Sequence, residues 1–432
     1  MTARTSVSPE ETLLFERSIL PNGLRVLTST MPHTRSVAIG IFVGAGSRYE
    51  DDAHAGASHY LEHILFKGTE KRPNPQTISG AIESVGGILN ASTDREATVY
   101  YCKVGQAHFG TAIDVLTDMV MHPLFKAEEI ERERGVIIEE LAMTYDQPDA
   151  YADLLIDETL WPGQAMGRDI GGSKETVLAI SRKALVDYHA KQYVPGNVVV
   201  SIAGNVTHDE VVTRLTELMS DWKAGTPLPW EPVKATATGT RVSLGTRKTD
   251  QAHLCLALDG VSNMADDRYS VDMLNTILGE GMTSRLFMEV RERRGLAYEV
   301  HSSAIHYQDC GAMVVYCGVD TSNVDGAVEA VLQEFGKLRD EVPEEDLQKS
   351  VDYAVGRLDL RLEDTRAVMG WMGGQELLRG RVLTPDEVVA DLRAIKPDQV
   401  RDAARSYLTE GNYRLAVVGP YRSAAKFHKL LA

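Results

Sequence analysis

Two stretches of this chain repeat one another half a chain apart. Residues 193–206 read YVPGNVVVSIAGNV, and residues 407–421 read YLTEGNYRLAVVGPY. Each is a tyrosine, a short turn holding Gly-Asn, and a β-rich run closing on Gly204 or Gly419. Earlier in each half a strand-like run leads into a helix-like one. SVAIGIFVGAG precedes SHYLEHILFKG, and HLCLALDG precedes VDMLNTILGEG. Recurrence in this order marks repeated structural units, so the chain reads as two copies of one α+β unit of about 210 residues. Its 432 residues are in any case too many for one ordinary core. A proline-rich stretch at 224–239, AGTPLPWEPVKATATG, is the natural linker. The expected domains are therefore 1–228 and 229–432.

The copies differ where chemistry is concentrated. With Leu61 set against Leu274, His59 faces Asp272, Glu62 faces Asn275 and His63 faces Thr276. Helical positions i, i+3, i+4 and i+7 share a face, so His59, Glu62, His63 and Phe66 lie together. Two imidazoles one turn apart can grip a single Zn²⁺, and Glu62 beside them could hold a water. The order HxxEH inverts the better-known HExxH. Gly68 is expected to end this helix as its C′ residue. A lone helical histidine is most often a surface or satisfied core residue. The glutamate-flanked pair, confined to one copy, argues for a metal.

A catalytic zinc needs a third protein ligand and an open position. The stretch from 128 to about 144, EEIERERGVIIEELAMT, reads as a helix. Ile130, Glu133, Ile137, Glu140 and Leu141 then share one face, so two carboxylates lie along an apolar stripe. Buried carboxylates need a cation or hydrogen-bond donors, and a metal held by two histidines is such a cation. Glu128, Glu131 and Glu139 fit a solvated face; Glu140 does not.

The other segments support a mixed fold. Asn22-Gly23 marks a hairpin turn, 36–46 reads as a buried strand, and Gly86-Gly87 stops a helix over 75–87. Two strands flank a tight turn at Asp94-Arg95, and a helix is expected near 110–121. The net charge of −17 argues against nucleic-acid binding. Its simpler reading is solubility, and its sharper one is an acidic interior that attracts basic substrates. Four cysteines without a CxxC pair are read as reduced core or strand residues. No apolar run approaches the ~18 residues of a membrane span. The first residues lack a leader pattern, so a cytoplasmic location is expected.

Together, SHYLEHILFKGTEKR and IERERGVIIEEL resemble the HxxEH zinc peptidases of the pitrilysin type. The likeness is to the bacterial branch similar to mitochondrial processing peptidase (peptidase family M16, subfamily B), and it covers nearly the whole chain. It implies one zinc per chain, held by His59, His63 and Glu140, with Glu62 as general base and Glu133 as a supporting carboxylate. LNASTDREATVYY resembles the family's edge-strand segment, which implies that Asn90, Ala91 and Thr93 lie beside a bound peptide paired main chain to main chain. GEGMTSRLFMEVRERRGLAYEV resembles its Arg-Tyr segment, which implies that Arg291 and Tyr298 hold the peptide and its scissile carbonyl.

The implied fold is two homologous α/β-sandwich halves forming a clamshell. The implied activity is endopeptidase cleavage of short or unfolded polypeptides in an enclosed chamber, by a homodimer. Relatives lacking the metal residues imply an alternative, a non-catalytic peptide-binding or structural subunit. A third possibility is an active subunit requiring a glycine-rich partner chain. Two departures stand out: Tyr60 replaces a more usual Phe, and QAMGRDIGG at 164–172 replaces a His-Pro-Leu-Gly segment.

Overall fold

A computed structural model describes residues 15–235 and 241–431. These form two compact units. Unit 1 runs to Leu141 and takes in Asp169–Glu231 and Leu358–Glu387. Unit 2 comprises Ala142–Arg168, Pro232–Arg357 and the chain from Val388 onward.

The sheet of unit 1 contains β1 (Glu16–Ile19), β2 (Arg25–Thr30), β3 (Ser36–Val43), β4 (Ile88–Thr93), β5 (Thr98–Gly105) and β6 (Val198–Gly204). Their order is β1-β2-β6-β3-β5-β4, with β2 and β6 parallel and every other pair antiparallel. Unit 2 contains β7 (Arg241–Thr246), β8 (Gln251–Asp259), β9 (Ala297–His306), β10 (Gly311–Asp320) and β11 (Arg414–Gly419). The order there is β7-β11-β8-β10-β9, with β7 and β11 parallel and the rest antiparallel. Set β7, β11, β8, β10 and β9 against β2, β6, β3, β5 and β4, and order and sense agree throughout. The repeated sequence runs end on β6 and β11, so the duplication is structural.

Helices lie on both faces of each sheet, which is why a strand such as β3, SVAIGIFV, is apolar and buried almost end to end. On one face of the first sheet lie α1 (Ala57–Leu65), α2 (Pro75–Glu83), α3 (Phe109–Met121) and α4 (Ala127–Asp146). Leu61, Ile64, Ile113, Leu116 and Ile137 meet Ile39 and Ile41 there. On the other face the helix Thr365–Arg379 lays Val368, Met369 and Met372 on Ala38, Phe42 and Val199. Unit 2 is covered in the same way by α5 (Pro148–Leu160), whose Ala152, Ile156 and Leu160 meet Cys255, Ala257 and Val418.

The covering helix of each sheet thus comes from the other half of the sequence. The packing units are not the contiguous 1–228 and 229–432, because the second apolar face of each sheet must also be buried and the helix that buries it is exchanged.

Several local expectations hold. Gly23 has φ +93° in the turn between β1 and β2, and Gly86, with φ +73°, follows α2. None of the four cysteines is in a disulfide, and Cys102, Cys255 and Cys317 are buried in strands. Gly68 needs a correction. Helix α1 stops at Leu65 with Phe66 as its C-cap, and Gly68, at φ +138°, shapes the turn beyond, where its carbonyl accepts from Leu124 N–H. No helix among the described residues is long and apolar enough to cross a membrane.

Gly56 opens α1 in a conformation with φ 95° and ψ 0°. A Cβ there would stand 2.4 Å from the Gly171 carbonyl oxygen. Gly56→Ala is therefore expected to cost about 2 kcal/mol or more, from a left-handed backbone and a backbone clash together. Urea unfolding measures this, and an unchanged midpoint would contradict it.

Candidate metal centre

Helix α1 is short and amphipathic. Tyr60, Leu61, Ile64 and Leu65 are buried in the core, while His59, Glu62, His63 and Phe66 are half-buried on the opposite side. Its N-terminus lacks a local side-chain cap. Glu50 supplies one from outside: its carboxylate accepts from Gly56 N–H at 2.7 Å and Ser58 N–H at 2.6 Å. That satisfies orphan donors and places negative charge at the positive end of the helix dipole. The Tyr60 hydroxyl donates to the Ile130 carbonyl, tying α1 to the first turns of α4.

Helix α4 buries Ile130, Glu133, Ile137 and Leu141. Glu140 lies on the same side, with its side chain 44% exposed. Its Oε2 is 3.4 Å from His63 Nε2 and 3.8 Å from His59 Nε2, and the two Nε2 atoms are 3.3 Å apart. Ligands on tetrahedral bonds of 2.0–2.1 Å stand about 3.3 Å apart. The three donors therefore already have the spacing of one face of a zinc tetrahedron. Two nitrogens and one carboxylate oxygen are also the donor set of a catalytic zinc. Among the described residues no other group of three His, Cys, Asp or Glu offers this closeness.

The protonation states suit ligation. Burial, with His63 close by, pushes the His59 imidazole down to about 4, so it is neutral at physiological pH. His63 Nδ1 is 3.0 Å from Glu133 Oε2, so it carries the proton and leaves Nε2 a free lone pair. Burial opposes charge on Glu133, but hydrogen bonds from His63 and Lys67 outweigh it and hold the carboxyl below its ordinary range. Lys67 Nζ sits 2.7 Å from the other Glu133 oxygen.

Glu62 differs. Burial raises its carboxyl, the Thr93 hydroxyl and His63 pull it back, and the balance lies above the ordinary value. Thr93 Oγ1 donates to Glu62 Oε2 at 2.6 Å. A carboxylate with raised proton affinity beside a metal site is placed for acid–base work.

Residues 25–174 match the family described as Insulinase (Peptidase family M16), and residues 179–353 match the Peptidase M16 inactive domain. A Streptomyces coelicolor protein named an uncharacterized zinc protease is 38% identical over 96% of this chain and 92% of its own length. One of the same description from Bacillus subtilis is 34% identical over 94% of this chain and 98% of its own. The chain belongs to peptidase family M16. The M16 fold is matched as well. A Helicobacter pylori protease aligns with TM-score 0.89 at 20% identity, covering 94% of this chain and 99% of its own. The peptidase M16 inactive domain from Pseudomonas fluorescens aligns with TM-score 0.87 at 20% identity, over 95% and 99%.

In this M16 chain the whole His59–Glu140 constellation falls within the first match, and the inactive-domain match lies beyond it. The second copy explains the difference. Helix Arg268–Gly279 stands where α1 stands in the first copy. Its Asp272 pairs with His306 at 2.9 Å, and its Asn275 Oδ1 accepts from Ser302 Oγ on β9 at 2.7 Å. The Ser302–Asn275 contact repeats the Thr93–Glu62 contact on the matching strand and helix, while both imidazoles are gone.

The remaining sequence-derived residues divide between the units. Thr93 and Ala91 lie on the face of β4 toward the core, and Thr93 reaches Glu62. Asn90 is exposed on the alternate face and accepts from Ala91 N–H. All three belong to the edge strand of their sheet. Arg291 and Tyr298 belong to unit 2. The Arg291 guanidinium lies 4.7 Å from the ring centroids of both Phe287 and Tyr298. Tyr298 is 77% exposed, and the pair lines a cleft of about 410 Å³.

Reading the residues alone missed Lys67, the Tyr60 hydroxyl bond and the contact of Thr93 with Glu62. Lys67 had a signal, since it lies four residues after His63. The other two are long-range pairings that periodicity does not carry.

Proposed function

We propose that this chain is a zinc-dependent endopeptidase acting on short or unfolded polypeptides. The observation that carries the reading is the spacing of His59 Nε2, His63 Nε2 and Glu140 Oε2, all within 4.8 Å of one another, with Glu62 on the same helix face. Zinc held there would supply Lewis acidity toward a water and a peptide carbonyl.

The rest is done by side chains and backbone. Glu62 takes a proton from the attacking water and returns it to the leaving amine, and its raised proton affinity suits both transfers. Thr93 fixes one Glu62 oxygen and leaves the other for the proton. Glu133 and Lys67 hold the His63 ring in orientation. The edge strand β4 presents its outer side to an extended peptide, the pairing mode of β-augmentation. Arg291, stacked between two rings, and the exposed Tyr298 hydroxyl are assigned to the peptide and its carbonyl oxygen. The net charge of −17 favours basic peptides.

The purified chain should hold zinc and cleave an unstructured quenched peptide, with cleavage lost on chelation and restored by zinc. Zinc without cleavage would favour instead the active subunit that requires a partner chain. Absence of both would overturn the assignment.

A further inference from the structure

The two histidines are supported unequally. His63 Nδ1 meets Glu133 at 3.0 Å, whereas His59 Nδ1 is buried and makes no hydrogen bond among the described residues. An imidazole that ligates through Nε2 in its neutral form carries its proton on Nδ1. A buried N–H without an acceptor is unfavourable, and the orientation of the ring is then left to packing alone.

A second orphan lies close to the first. Asp169 accepts from Gly171 N–H through Oδ1 at 2.8 Å, while its Oδ2 is buried without a partner. Both side chains border Gly171. A Cβ on Gly171 would stand 3.0 Å from Leu141 Cδ2, 3.4 Å from Asp169 Oδ1 and 3.5 Å from His59 Nδ1. His59 Nδ1 and the Asp169 carboxylate thus both lie on the side of Gly171 that carries no Cβ, where one bridging water would serve both groups.

We propose that Asp169 is the positioning residue for His59, accepting its Nδ1 proton through one water lodged against Gly171. His59 and His63 would then each have a carboxylate behind them, Asp169 from the loop before Gly172 and Glu133 from α4. The assignment rests on the reading of His59 as a zinc ligand. It also gives a role to the 164–172 segment, which departs from the family's usual sequence.

The test is zinc affinity, measured by competition with a chromogenic chelator, so it does not depend on turnover. Asp169→Asn keeps an oxygen for Gly171 N–H but turns the second acceptor into a donor. Gly171→Ala leaves both polar groups and fills the space between them. Each is expected to weaken zinc binding about 10- to 100-fold, the range for partners of metal-ligating residues, without lowering the unfolding midpoint of the zinc-free chain comparably. The double variant should lose little more than either single one, because both remove the same bridge.

Wild-type affinity in Asp169→Asn or in Gly171→Ala, or fully additive losses, would overturn the role of Asp169. A wild-type chain that takes up no zinc would overturn the underlying metal reading as well, so the two failures are distinguishable.

Discussion

Glu62→Gln is expected to keep zinc at the wild-type level while lowering kcat by about 10²- to 10⁴-fold, the range for loss of a general acid–base group. The amide has the shape of the carboxylate, and its oxygen can still accept from Thr93 Oγ1, now 2.6 Å from Glu62 Oε2. None of the three donor atoms is touched. What disappears is the capacity to take a proton, a capacity that burial has enlarged by lifting the carboxyl above its ordinary value. The loss should therefore fall on kcat with KM little changed, the pattern of an interaction needed only during reaction. Metal analysis beside steady-state kinetics separates the cases. Full activity in the variant would remove Glu62 from the chemistry. Loss of zinc along with activity would make it a structural member of the site.

Glu140→Ala should have the opposite signature. Zinc affinity is expected to fall by more than the about 10- to 100-fold attached to an outer partner, and activity should fall with it. Stability of the zinc-free chain should hardly move. The reason lies in exposure: the Glu140 side chain is 44% exposed, so its removal opens no core cavity. Glu133, only 4% exposed and bonded to His63 and Lys67, is the contrasting case, where loss would disturb the packed helix pair as well. Chelator competition and urea unfolding of the zinc-free chain provide the two readings. A Glu140→Ala chain that binds zinc as tightly as the wild type would show that the carboxylate is not a ligand.

The metal helix was legible because its signal is local. His59, Glu62 and His63 fall on one face by spacing alone, and the apolar stripe of α4 carried Glu133 and Glu140 with it. The duplication was legible because the closing strands repeat as sequence, and β6 and β11 bear this out in matching sheet positions. The exchange of covering helices was not legible. Nothing in the spacing of Val368, Met369 and Met372 says which sheet they will cover, since both sheets present a similar apolar face. The end of α1 was misplaced for a related reason: Gly68 is a glycine just past a helical run, but its positive φ serves a turn whose carbonyl meets Leu124, far along the chain. Long-range hydrogen bonds such as Tyr60 to Ile130 and Ser58 to Tyr188 leave no trace in periodicity.

The exchanged helices also bear on the order in which the protein is made. A ribosome delivers unit 1 through Glu231 and then has all of Pro232–Arg357 to translate before Leu358–Glu387 emerges. Until then Leu27, Ala38, Phe42, Tyr101 and Val199 have no helix to lie beneath. The unit with the candidate metal site is thus the first to be started, yet it can close only after most of unit 2 has been made. A fragment cut at the proline-rich stretch would carry every proposed ligand yet lack one wall of the sandwich that holds them.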